Sequence, residues 1–144
     1  MQTFNAHGVR FAYPDDWVLS HEHQGGSLVI NLQTPGTAFW SLTLLEDCPP
    51  VEEVLDAAIL AFEDEYQNVD VYRHETSLAE LPTAACDLDF VYLDLVNSAS
   101  ICSMDLGDCT ALVMYQAEGR EFDDLRADFE AVMDSLEYGE EVES

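Results

Sequence analysis

Trp40, Leu42 and Leu44 alternate with Ser41 and Thr43, a period-two pattern that predicts a strand with one buried face over Thr37 to Leu45. Ahead of it, Trp17 to His23 and Ser27 to Leu32 flank Gln24-Gly25-Gly26, which reads as a hairpin. A short extended segment, Gly8 to Tyr13, stops at the Pro14-Asp15-Asp16 turn. After Leu45 the period changes. Val51, Val54, Leu55, Ala58, Phe62 and Tyr66 recur at helical spacing behind Pro49-Pro50, a pair suited to a first helical turn. Phe122, Leu125, Phe129, Val132, Met133 and Leu136 form the stripe of a second helix near the end of the chain.

Between the two helices lie four strand patterns: Val69 to Leu78, Thr83 to Leu95, Ala99 to Leu106 and Cys109 to Ala117. Leu81-Pro82 and Gly107-Asp108 supply turns, the second a two-residue hairpin signal. Cys109 to Tyr115 is apolar on both parities, as expected of a strand in mid-sheet covered on both sides. The order of elements predicts an α+β fold, a mostly antiparallel sheet flanked by two main helices. One domain spans residues 1–138, and 139–144 read as an acidic flexible tail.

Charge changes the picture of function more than of fold. The 144 residues carry 30 Asp and Glu against four arginines (Arg10, Arg73, Arg120, Arg126), no lysine, and a formal charge of −26. An apolar share of 48 % argues for a packed core despite that charge, because disordered acidic chains are poor in apolar residues. A core of this size needs no metal or disulfide to hold it. Such a surface repels phosphate backbones and anionic headgroups, so nucleic acid and membranes are poor partners. A protein or peptide with a basic or apolar face is a better one, and a homodimer stays open. Nineteen of the 30 acids fall in 46–65 and 118–144, where a solvated helix face would put them. Solubility or salt adaptation explains much of this, although salt adaptation alone gives no reason to remove arginine.

No apolar stretch is long enough for a membrane span, and Met1 to Gly8 lacks the basic and apolar regions of a signal peptide, so the chain reads as cytoplasmic. Cys48, Cys86, Cys102 and Cys109 form no CxxC pair, and reduced thiols are expected. None of the nucleotide, hydrolase or metalloprotease motifs occurs, and no cofactor is implied. His21 and His23 share a strand face but supply two ligands where a closed zinc site needs four; His7 and His74 carry no pattern.

Gly8-x-x-Phe11-x-Tyr13-Pro14-x-x-Trp17, the strand start Leu81-Pro82-Thr83-Ala84 and the helix Phe122…Phe129…Met133-x-Ser135-Leu136 together resemble the PsbP-like superfamily. Glu80 departs from the pattern, standing where many relatives have glycine. The resemblance covers nearly the whole chain and implies an α/β/α sandwich on an antiparallel sheet. It implies binding, assembly or chaperone roles and no shared catalytic residues.

One acidic constellation stands out beside it. If the strand from Thr83 turns around Asn97 onto the strand from Ala99, apolar matching sets Leu88 opposite Leu106, Phe90 opposite Met104 and Tyr92 opposite Cys102. That register puts Asp89 opposite Asp105 with Asp87 beside them, a like-charge pairing that calls for a cation, a basic partner, an arginine such as Arg73, or hydration. Asp87, Asp89 and Asp105 are therefore the candidate metal residues. Two main functions are expected: a non-enzymatic binding or chaperone-like protein, or a divalent-cation-binding protein or enzyme using these aspartates. A third is a salt-adapted domain whose charge serves solubility alone. A long apolar groove between sheet and helix would point to the first.

Overall fold

A computed structural model describes residues 1–74 and 83–139. Seven strands form one antiparallel sheet: β3 (Val18–Gln24), β4 (Ser27–Gln33), β5 (Phe39–Leu45), β6 (Gln67–His74), β7 (Thr83–Tyr92), β8 (Leu95–Asp105) and β9 (Thr110–Glu118). Their spatial order is β3-β4-β5-β9-β8-β7-β6. The strand apolar on both parities, β9, lies at the centre as its pattern predicts. Two further strands, β1 (Gln2–Ala6) and β2 (Val9–Tyr13), join β10 (Glu137–Tyr138) in a separate three-stranded sheet. Only the middle of that small sheet is evident in the sequence pattern.

Helix α1 (Val51–Glu65) follows β5 and packs on one face of the large sheet, where Leu55, Ile59 and Phe62 meet Cys86, Leu88, Phe90, Ala99 and Ile101. Its N-cap, Pro50, offers no side-chain acceptor, and Glu52 and Glu53 in the first turn favour the dipole instead. Helix α2 (Gly119–Ser135) follows β9 and packs on the opposite face with the small sheet. There Phe129 and Val132 meet Trp40, Leu42 and Val113, with Phe11 and Val9 closing the layer. Glu118 caps α2, its Oε2 accepting from the Arg120 and Glu121 amides at 2.8 and 3.2 Å. At the other end Ser135 Oγ accepts from the Ala12 amide at 2.9 Å, fastening α2 to β2. The Glu121 carboxylate accepts from the Thr37 amide at 3.1 Å, and a Cβ at Gly36 would stand 1.9 Å from Glu121 Oε2. A side chain at position 36 would therefore displace the Glu121 carboxylate from this contact.

The expected register between β7 and β8 is corrected by the structure. The chain turns at Leu93-Asp94, with φ of 52° and 63°, rather than around Asn97. Leu88 faces Ala99, Phe90 faces Asn97, Tyr92 faces Leu95 and Asp89 faces Ser98. The cause lies in β8: Ile101, Cys102, Ser103 and Met104 are all buried, so both parities of this strand lie inside and burial cannot choose between registers. Leu81-Pro82, Glu80, the expected end of the β6 strand at Leu78 and residues 140–144 of the expected tail lie outside the described residues.

Candidate functional site

A sheet of seven strands is roughly 29 Å across at the usual strand spacing, whereas a helix with its side chains covers about 10–12 Å. α1 lies over β7 and β8, and a strip of β9 and β5 beside it stays partly open. Leu112 and Met114 of β9 and Phe39 of β5 form the floor and far wall of a groove there; Ala58, Ala61 and Phe62 of α1 form the near wall. The cavity measures about 400 Å³. A second cavity of about 330 Å³ adjoins it, with Tyr66 and Gln116 belonging to both. Phe90, Tyr92, Leu93, Leu95 and Glu118 line this second part.

The far end of the groove is aromatic. Tyr66 packs against Phe90 at a tilt, with ring centroids 4.3 Å apart, Phe62 lies 5.3 Å from Phe90, and Tyr92 meets Tyr66 edge-on at 5.6 Å. Beyond them the β7–β8 hairpin tip holds Leu93 at 76 % exposure, Val96 at 59 %, Leu95 at 53 % and Tyr92 at 52 %. Leu93 and Asp94 both occupy the left-handed backbone region, which costs a leucine about 1–2 kcal/mol and turns its side chain outward. Four large apolar or aromatic residues facing water at one turn is an unusual concentration for so acidic a chain. The sequence pattern hides it, because Thr83 to Leu95 reads as one continuous strand.

The three candidate aspartates do not converge. Asp87 and Asp89 lie on the α2 face of β7, while Asp105 lies on the α1 face of β8, its Oδ1 accepting from the Gly107 amide at 2.9 Å within a turn. A like-charge pair does form, but between Asp89 and Asp70 of β6. Ser98 Oγ donates to Asp89 at 2.9 Å, and His74 Nε2 stands 3.6 Å from Asp87. Asp87, Asp89 and Ser98 line a cleft of about 260 Å³ together with Tyr72, Ser100 and Arg126. Arg73, the arginine considered as a counter-charge, pairs with Asp56 and Glu52 of α1 instead. His7, at a left-handed turn between β1 and β2, comes within 6.5 and 5.6 Å (ring centroids) of His21 and His23. Among the described residues no three His, Cys, Asp or Glu side chains are arranged to hold a metal ion.

All four cysteines are free thiols. Cys86 faces α1 and Cys102 faces α2. Burial pushes Cys86 up to about 11, with Arg73 opposing, and Cys102 up to about 12, so neither is a thiolate at neutral pH. Burial also raises Cys109.

No protein-family model matches the chain, and no protein of curated function matches it. Solved structures do. The cyanobacterial PsbP of Synechocystis sp. PCC 6803 superposes with a TM-score of 0.64 over 96 % of this chain and 92 % of that one, at 13 % identity. The chain has the PsbP-like fold. Mog1, compared as a point mutant, superposes on this PsbP-like domain at 0.61 over 100 % of this chain and 98 % of its own, at 8 % identity. LpqN of Mycobacterium tuberculosis, a protein involved in cell envelope biogenesis, reaches 0.55 over 94 % and 89 %, at 11 % identity. At such identities the shared property is the PsbP-like fold itself. Two of the motif aromatics have a structural role in this chain. Phe11, 1 % exposed, lies 5.3 Å from Phe4 and 4.9 Å from Trp40, and Trp17 packs 5.6 Å from Phe129, so both belong to the core. No helix of the described residues is long and apolar enough to cross a membrane.

Proposed function

We propose that this domain is a non-enzymatic binding protein that holds a segment of another protein in the groove between α1 and β9. One observation carries the reading: the groove has an apolar floor of Phe39, Leu112 and Met114 and ends at an exposed cluster of Tyr92, Leu93 and Leu95. Exposed apolar surface is a solubility liability, so a domain whose charge served solubility alone would have no reason to keep it at a hairpin tip. Solved proteins of this fold include one involved in cell envelope biogenesis, which accords with a role in assembly. A cation-dependent role would have to rest on Asp70, Asp87 and Asp89 without Asp105, and no such residues converge as ligands.

Site-specific photo-crosslinking in the native cell tests this. A benzophenone side chain replaces Ala61 on the groove wall or, as control, exposed Ala131 on α2. The expected result is one adduct from position 61, mapped by mass spectrometry to a single partner segment, absent from position 131 and lost in a Met114→Arg background. Equal adducts from both positions would overturn the reading.

A further inference from the structure

The occupant of the groove can be narrowed by charge, an inference that rests on reading the groove as the binding site. Its apolar wall is bordered by carboxylates: Glu65 lines the α1 side, Glu118 lines the aromatic end, and Asp94 sits between Leu93 and Leu95 at the tip. No arginine lines either cavity, and the chain has no lysine. Arg10, Arg73 and Arg126 are committed to Glu137, to Asp56 and Glu52, and to Asp123. Among the described residues none of the three border carboxylates is paired with an arginine.

The aromatic end has a second property. Tyr66 and Tyr92 meet edge to face beside Phe90, in a cavity of about 330 Å³ that Glu118 also lines. Ring faces beside a carboxylate attract a guanidinium or ammonium group through the ring quadrupole as well as through charge. A second copy of this chain would bring another −26 and be repelled, which leaves a cationic partner. We propose that the groove takes a cationic amphipathic segment of another protein, its apolar side chains over Leu112 and Met114 and an arginine or lysine in the Tyr66–Tyr92 pocket. The charge of the whole domain speeds encounter, while the pocket sets where the cation comes to rest.

The experiment uses three short fluorescein-labelled peptides and fluorescence anisotropy. One carries alternating leucine and serine with a terminal arginine pair, one has glutamine for the arginines, and one has serine for the leucines. The arginine peptide is expected to bind most tightly. It should lose about fivefold in affinity to Tyr92→Leu, the size of an exposed cation–π contact, and more to Ala61→Trp, which fills the groove from an exposed helix position. The glutamine peptide should bind more weakly and ignore Tyr92→Leu, and the leucine-free peptide should ignore Ala61→Trp. Neutralising Glu65 and Asp94 (Glu65→Gln, Asp94→Asn) should weaken the arginine peptide. The same change of net charge on α2 (Asp128→Asn, Asp134→Asn) should not. Circular dichroism confirms that each variant is folded.

The two possible failures are separable. Equal binding of the arginine and glutamine peptides, both lost in Ala61→Trp, would overturn the cationic occupant and leave the groove as a binding site. Equal weakening by the groove pair and the α2 pair would also overturn it, because the charge would then act only as a general field. No peptide responding to Ala61→Trp would overturn the groove reading itself.

Discussion

The two faces of the large sheet are closed to different degrees. On one, α2 and the three-stranded sheet together bury Trp40, Phe11 and Phe129 to 1 % exposure or less. On the other a single helix buries Leu55 and Leu88 as completely but leaves the margin of β9 open. One sheet thus supplies both a sealed core and an accessible apolar surface, and the difference is one of cover rather than of composition. The packing that stabilises the domain and the groove proposed for binding thus lie on opposite sides of the same strands.

Several substitutions test that division. Phe129→Ala on the sealed face should cost the most, about 3–5 kcal/mol in urea unfolding, because the ring packs against Trp17, Tyr115 and Phe122 with nothing free to fill the hole. Phe62→Ala on the open face should cost less, about 3 kcal/mol, since the adjoining groove lets Tyr66 and water relax into the space. Equal costs would mean that the two faces are equally closed.

Alkali gives a smaller and graded contrast. The folded state keeps Cys86 and Cys102 protonated while the unfolded chain ionises at an ordinary thiol value. Their contribution is therefore intact below about pH 9 and lost as pH rises through about 11 for Cys86 and then about 12 for Cys102. Iodoacetamide labelling followed by peptide mapping should find Cys86, on the α1 face, modified at lower pH than Cys102. The reverse order would place the better seal on the wrong side. The smallest effect is expected from Leu95→Ser at the hairpin tip, within about 0.5 kcal/mol of wild type by urea. The same change should weaken the arginine peptide measurably, and a large loss of stability would show that the tip is structural.

Much of this architecture is written in local patterns. The period-two run around Trp40, the doubly apolar run from Cys109 and the stripes of α1 and α2 identify their elements without tertiary information. The β7–β8 register is not written that way. Ile101 to Met104 is buried on both parities, so the decisive choice falls to a turn at Leu93-Asp94, where a lone aspartate without glycine or asparagine is a weak turn signal. The groove is illegible for a related reason. Phe39 has the parity opposite to Trp40, Leu112 belongs to a strand apolar throughout, and Ala61 is one of several small residues on α1. Their shared surface exists because of where α1 comes to lie. Likewise Asp70 meets Asp89 only through the pairing of β6 with β7, which no spacing announces.

The small sheet has a consequence for the order of assembly during synthesis. β2 pairs with β1 on one side and with β10 on the other, and the Gly139 amide donates to the Gly8 carbonyl at 3.1 Å. A ribosome adding about 5–20 residues per second needs on the order of ten seconds to travel from the first of these strands to the last. During that interval Phe4, Val9 and Phe11 are without α2, the cover they have in the finished domain. A nascent chain halted just before Phe129 should therefore be protease-sensitive at its N-terminal hairpin, and release of ten further residues should protect it.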